Sequence, residues 1–73
     1  MEIGKKAVRK LGKRVKQLRE AKRWTQQHLA ASLGVEQSYI SGIERGEYSP
    51  SFPRLARLAE IFDLTISELC QGI

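Results

Sequence analysis

A chain of 73 residues, 41% of them hydrophobic, is long enough for one small domain with a modest core. Its single cysteine, Cys70, excludes an internal disulfide, and no cysteine pair is spaced to hold zinc, so we expect neither a metal nor a cofactor. No apolar run approaches the roughly 18 residues of a membrane span, and the N-terminus lacks the apolar core of a signal peptide, which predicts a cytoplasmic protein without a membrane partner.

The net charge of +5 is unevenly distributed along the chain. Residues 1–23 contain ten basic and two acidic side chains, a net charge of +8, whereas residues 24–73 contain three basic and six acidic ones, a net charge of −3. A basic segment of this kind either neutralises nucleic-acid phosphates without regard to sequence or forms a solvated helix face.

The first predicted element is a helix over residues 7–22, preceded by a basic arm at residues 1–6. The arm has no periodic pattern, and we expect its backbone to be frayed. In the helix, apolar residues recur at spacings of three, four and three, which indicates one stripe that faces a core. These residues are Val8, Leu11, Val15 and Leu18.

Two short helices separated by a break at Gly34 are predicted within residues 25–46. Thr25 is the expected N-cap of the first one. Two helices joined through a short turn that contains glycine are typical of a helix-turn-helix, whose second helix enters a groove of DNA. The predicted inward-facing residues are Leu29, Ala30, Leu33, Ile40 and Ile43.

Two further helices are predicted after this motif. Gly46 is expected to end the third helix with a positive φ, and Pro53 fits the first turn of a fourth helix, which ends near Asp63. Thr65 and Glu68 have the spacing of a capping box and open a short fifth helix. No strand pattern is present, so the sequence predicts an all-α domain.

The outward side of the predicted third helix is polar and almost uncharged. Amide and hydroxyl groups match the donors and acceptors that base pairs display in the major groove. A catalytic role is not indicated, because Glu44 has no partner carboxylate in a meaningful pattern and His28 is the only histidine. The outward residues are Gln37, Ser38, Ser41, Gly42 and Arg45.

In combination, the segments LREAK, TQQHLA, LGV, YISGIERG, SPSF and LAEIFDLTISEL resemble the phage repressor and Cro type of helix-turn-helix transcription regulators, the XRE family. The resemblance extends over residues 11–69. It implies a five-helix, lambda-repressor-like domain at residues 7–73 that binds operator DNA as a homodimer, with helix 3 in the major groove. The implied partners are double-stranded DNA and a second copy of the chain. We expect no small-molecule ligand, because the domain leaves no room in these 73 residues for one that senses a ligand.

Position by position, the resemblance also implies which residues contact DNA. Gln26 would reach the DNA backbone and can also buttress helix 3, or it is simply an exposed residue at the helix start. Gln37 would hydrogen-bond to N6 and N7 of an adenine. Tyr39 would contact phosphate, pack on the sugar edge or belong to the core, and Arg45 would bind phosphate or remain solvated. The implied DNA-contacting residues are Gln26, Gln37, Ser38, Tyr39, Ser41 and Arg45.

The resemblance further implies a partly buried salt bridge between Arg19 and Glu44. Dimerisation is expected at the C-terminal end of the chain, because its apolar residues exceed what so short a helix needs for its own packing. These residues are Ile66, Leu69 and Ile73.

Three residues depart from the family pattern. Arg23 stands where glycine is common, and a positive φ there would cost about 1 kcal/mol. Glu36 stands where a capping serine or threonine is common, and Gly42 stands where relatives often carry a long reading side chain.

The sequence favours a small repressor or autoregulator over two other functions. It does not distinguish a phage or plasmid repressor, an antitoxin-like regulator and a restriction-modification controller. The alternative is an adapter that binds an acidic protein or RNA through the basic first helix, and an enzyme is the least supported class. A regulator selects one palindromic site, whereas an adapter shows only a steep salt dependence.

Overall fold

The computed structural model describes residues 4–73, which contain five α-helices and no strand. The helices are α1 (Lys5–Ala21), α2 (Gln26–Leu33), α3 (Gln37–Glu44), α4 (Phe52–Ile61) and α5 (Ile66–Leu69). The predicted five-helix, all-α fold is therefore confirmed. None of these five helices is both long enough and apolar enough to cross a membrane.

The helix ends follow local sequence signals. The side chain of Thr25 accepts a hydrogen bond from the backbone N–H three residues further on, at 3.0 Å, as expected of an N-cap. Thr65 and Glu68 form the predicted capping box, with reciprocal hydrogen bonds of 2.9 and 3.0 Å. Gly46 follows α3 with a φ of 76°, the left-handed conformation predicted for it.

The N-terminal end of α1 lies earlier than predicted. Gly4 is the N-cap, so Lys5 and Lys6, which the sequence assigned to the arm, form the first turn of the helix. Lysine has a good intrinsic helix propensity, and the apolar stripe used to set the boundary begins only one turn later. Residues 1–3 of the predicted arm lie outside the described part of the chain.

The core forms where α3 packs against α1 and α2, and where α4 packs against α2 and α5. Leu69 is 0% exposed within this core, which corrects its assignment to the dimer contact. A four-residue helix is held mainly by the side chain that it buries, and in α5 this is Leu69. The largest fully buried side chains are Val15, Leu29, Ile40, Ile43, Leu58 and Leu69.

Gly12 lets α1 approach α3 closely. A Cβ atom at this position would lie 2.2 Å from the carbonyl oxygen of Ile43 and 3.0 Å from that of Glu44. Contacts under 3.0 Å essentially never occur for real Cβ atoms, and the obstructing atoms belong to the backbone. Glycine at this position therefore sets the spacing of the two helices, a role that the sequence pattern did not reveal.

Candidate nucleic-acid interface

The turn between α2 and α3 fixes the orientation of α3. Gly34 has a φ of 79°, and the backbone N–H groups of Gly34 and Val35 donate to the carbonyl of Ala30 at 2.8 and 3.0 Å. α3 then buries Ile40 and Ile43 completely, so its opposite side faces outward. A helix held in this way can present one face to a groove of DNA.

We call this outward side the reading face and define it by Gln37, Ser38, Ser41 and Arg45. Gln37, Ser38 and Arg45 are exposed, and Ser41 is half-buried. Residues 37, 41 and 45 are spaced by about one helical turn, which aligns their side chains along α3. The face therefore combines amide, hydroxyl and guanidinium groups in one row.

Gly42 is buried and does not belong to the reading face, contrary to the sequence prediction. A Cβ atom here would lie 2.2 Å from Cε2 of Tyr48, because that ring lies directly over the helix. Glycine at this position makes room for an aromatic ring from the loop after α3. The sequence pattern could not reveal this role, because it depends on a contact between α3 and that loop.

A buried ion pair attaches α1 to the C-terminal end of α3. Arg19 Nε donates to Glu44 Oε2 at 2.7 Å, Nη2 donates to Oε1 at 3.1 Å, and Nη1 donates to the carbonyl of Trp24 at 2.7 Å. The two charged side chains are only 10% and 3% exposed. The hydrogen bonds to Glu44 raise the pKa of Arg19 above its usual value. These are the two residues that the family resemblance pairs.

Gln26 connects this ion pair to the reading face. Its Nε2 donates to Glu44 Oε1 at 3.0 Å, and its Oε1 accepts from Nε2 of Gln37 at 3.3 Å. Gln37 is thus oriented by a side chain that is itself anchored to a buried carboxylate. The side-chain carbonyl oxygen and the second amide hydrogen of Gln37 take no part in these bonds. A bidentate contact with adenine needs these two groups, the oxygen to accept from N6 and the hydrogen to be donated to N7.

Arg45 is paired with an acidic residue that the sequence analysis did not single out. Its Nε donates to Glu47 Oε2 and its Nη2 to Glu47 Oε1, both at 3.0 Å. Nη1 donates to the hydroxyl of Ser41. These contacts raise the pKa of Arg45 and lower that of Glu47, in both cases mainly through the hydrogen bonds between them. The side chains are 57% and 52% exposed, so solvent screens the pair.

Tyr39 packs beside the reading face in a stack of rings. The ring centroids of Tyr39 and Tyr48 lie 5.8 Å apart, and the guanidinium carbon of Arg54 lies 4.7 Å from the centroid of the Tyr39 ring. The stack borders a groove of about 360 Å³ next to the start of α3. Arg54 adds a positive charge here that sequence reasoning missed, although its place just after Pro53 in the first turn of α4 was a possible signal.

Both remaining departures from the family pattern have structural consequences. Arg23 has a φ of 59°, so the turn before Trp24 does use the left-handed conformation that favours glycine. Glu36 is the N-cap of α3, and its side chain makes no capping hydrogen bond. It also places a carboxylate beside the first turn of the reading face.

The basic residues of the first 23 positions divide into two groups. Arg19 pairs with Glu44, and Arg14 donates to the carbonyl of Glu68 at 3.1 Å, which attaches α1 to α5. The other eight side chains are exposed and can meet an anionic partner. They are Lys5, Lys6, Arg9, Lys10, Lys13, Lys16, Lys22 and Arg23.

At the C-terminal end, two of the three predicted dimer residues are accessible. Ile73 is 45% exposed and Ile66 is half-buried, whereas Leu69 belongs to the core. The apolar surface offered by this end is therefore smaller than the sequence suggested.

Comparison with known proteins identifies similar chains among bacterial regulators. A family model described as helix-turn-helix matches residues 15–69. The regulator AnsR of Bacillus subtilis is 43% identical over 56 residues, which is 77% of this chain and 48% of AnsR. The regulator SinR of the same species is 35% identical over 60 residues, 81% of this chain and 54% of SinR. The chain thus spans about half the length of these relatives.

The solved structures similar to this chain are also those of regulators. The restriction-modification controller protein C.AhdI from Aeromonas hydrophila superimposes with a TM-score of 0.79 at 37% identity, covering 85% of this chain and 94% of that one. SinR, a master regulator for biofilm formation solved in complex with DNA, gives a TM-score of 0.73 at 35% identity, with 81% and 95% covered.

Proposed function

The chain belongs to the helix-turn-helix family of the XRE type, and from this membership we propose that it is a transcription regulator that reads double-stranded DNA with α3. Sequence is read by groups that reach base edges, and most other contacts only position the protein on the duplex. The observation that carries the proposal is the hydrogen bond by which Gln26 orients Gln37. In the free protein it already holds the Gln37 amide in place for hydrogen bonding to a base edge.

In the proposed complex, α3 lies in the major groove, where some of its residues contact bases and others contact the sugar-phosphate backbone. Gln37 hydrogen-bonds to N6 and N7 of an adenine, and Ser38 contacts a neighbouring base edge. Gln26 uses its second amide hydrogen for a phosphate oxygen. Tyr39 and Arg45 contact the sugar-phosphate backbone, and the exposed lysines of α1 add attraction that does not depend on sequence.

We also propose that two copies bind a palindromic operator as a dimer. Half-sites read by such a dimer are spaced by about 34 to 36 Å, one turn of the duplex. The two copies would meet through the C-terminal end, with Ile73 as the most accessible apolar contact. Occupation of an operator by this dimer would repress transcription, including that of its own gene, to an extent set by the concentration of the protein.

Selection of binding sites from random duplexes tests the proposal. The expected result is enrichment of one palindrome with an adenine at a defined position. The preference for adenine at that position should disappear when Gln37 is replaced by alanine. Failure to enrich any site would reject sequence-specific binding. Steep salt dependence without enrichment would instead indicate the adapter function, in which α1 binds an acidic protein or RNA.

A further inference from the structure

The guanidinium of Arg45 has one edge already occupied in the free protein. The Nε and Nη2 groups form one of the edges through which a guanidinium binds a carboxylate or phosphate by two parallel hydrogen bonds. In this structure both groups donate to the two oxygens of Glu47 at 3.0 Å. Nη1 donates to Ser41, so the side chain is held from two sides.

The same side chain lies in the row that would face DNA. Arg45 follows Gln37 and Ser41 at intervals of four residues, and its guanidinium lies against the hydroxyl of Ser41. A DNA strand that ran past this end of α3 would bring a phosphate to the same Nε/Nη2 edge. Phosphate and carboxylate are both anionic, so they cannot occupy the Nε/Nη2 edge together.

We propose that Glu47 is an intramolecular competitor for the phosphate-binding edge of Arg45 and thereby lowers the affinity of the protein for DNA. This inference rests on the proposed function, since it requires that the reading face meets DNA. The pair is exposed and screened, so a phosphate can displace the carboxylate. The fraction of molecules in which Arg45 is free sets how much affinity is lost.

The Glu47→Gln variant removes the competing charge and keeps the shape of the side chain. We expect it to bind both a selected operator and an unrelated duplex of the same length about two- to fivefold more tightly, as follows from the strength of exposed ion pairs. The fall of log Kobs with log salt should become steeper, by at most the roughly 0.9 that one full phosphate contact contributes. Fluorescence anisotropy of labelled duplexes at several salt concentrations measures both quantities.

Two further variants show whether the gain passes through Arg45. In Arg45→Gln/Glu47→Gln the gain should disappear, whereas Arg45→Gln alone should weaken binding less than the same change does in the Glu47→Gln protein. Glu60→Gln is the matched control, because Glu60 is also an exposed carboxylate beside an arginine, Arg57, at 3.6 Å. It should leave DNA affinity unchanged.

Three outcomes would overturn the inference: unchanged or weaker binding by Glu47→Gln, a gain that persists without Arg45, or an equal gain in Glu60→Gln. Wild-type protein that binds neither duplex overturns the proposed function itself and is recognised before any variant is compared. The Arg45 Nε–H signal in ¹⁵N NMR tests the ion pair separately. It should shift in Glu47→Gln without DNA, and an unchanged signal would also count against the inference.

Discussion

Glu44 accepts hydrogen bonds from both Arg19 and Gln26, so one buried carboxylate holds α1 to α3 and orients the first residue of the reading face through Gln26. Removing either charged partner of a buried pair leaves the other one unpaired, which costs more than the pair itself contributes. The stability of the fold and the geometry of the candidate site therefore depend on the same side chain.

We expect Glu44→Ala to lower the free energy of unfolding by about 3 to 5 kcal/mol, because the Arg19 guanidinium loses its buried partner. Thermal melting followed by circular dichroism and by the fluorescence of Trp24 measures the loss. Glu47→Ala, which removes an exposed carboxylate from Arg45, is the control and should melt close to the wild type. An unchanged melting temperature for Glu44→Ala would show that the buried pair does not stabilise the fold.

Arg23 carries backbone strain that glycine, which has no Cβ atom, would relieve. We expect Arg23→Gly to raise the stability by up to about 1 kcal/mol, because glycine adopts the φ of 59° without a Cβ clash. Arg23→Ala removes the same long side chain but keeps the Cβ atom, and it should give no such gain. Equal melting temperatures for the glycine and alanine variants would show that the turn is not strained.

The packing of α1 on α3 depends on backbone atoms that approach Gly12. Alanine is favoured over glycine in a helix by about 1 kcal/mol, yet the added methyl group would collide with the carbonyl of Ile43. We expect Gly12→Ala to be destabilising by about 1 to 3 kcal/mol overall, as measured by urea unfolding. Gly42→Ala meets only the half-exposed ring of Tyr48, which can move aside, so its cost should be clearly smaller. Equal costs would contradict the close approach of the two helices.

Local signals explain which parts of the helices could be predicted from sequence. The cap at Thr25, the capping box at Thr65 and the positive φ of Gly46 involve only neighbouring residues, and all three were predicted correctly. The roles of Gly12 and Gly42 depend on groups from other elements that come within contact distance only after folding. No spacing rule within a single helix contains that information.

In the candidate site, too, some features could be predicted from the sequence and others became visible only in the folded structure. The family resemblance named Gln26, Gln37 and Arg45 as DNA contacts, and the structure adds how Gln26 orients Gln37. The pairing of Arg45 with Glu47 was not foreseen, because the acidic residue lies in the loop beyond α3. Leu69 was misassigned because an apolar residue at a helix end can serve the core or an interface, and only packing distinguishes the two.

At the scale of the whole fold, few large apolar side chains of residues 4–73 are exposed, so the proposed dimer would have few apolar contacts. The large hydrophobic residues that remain exposed in residues 4–73 are Tyr48, Phe52 and Ile73. If the proposed dimer forms through so small an interface, its association should be weak, and DNA that binds both copies at once should strengthen it. Dimerisation is therefore expected to depend on protein concentration.

We expect sedimentation to show the wild-type protein as a dimer at tens of micromolar and Ile73→Asp as a monomer, because a buried charge at the contact would lack a partner. Phe52→Asp is the control, since it introduces the same charge at a side chain that is 69% exposed at the start of α4. It should remain dimeric. A monomeric wild type, or dissociation by Phe52→Asp alone, would contradict the proposed C-terminal contact.

Competition binding of Gln37→Ala shows whether α3 reads bases through an oriented Gln37. We expect this variant to lose roughly tenfold or more in affinity for the enriched operator and none for an unrelated duplex, because a base contact is lost while phosphate contacts remain. Gln27→Ala, a change at an exposed glutamine of α2 outside the reading face, should affect neither duplex. Equal loss of affinity for both duplexes, or no loss for the operator, would show that Gln37 does not read a base.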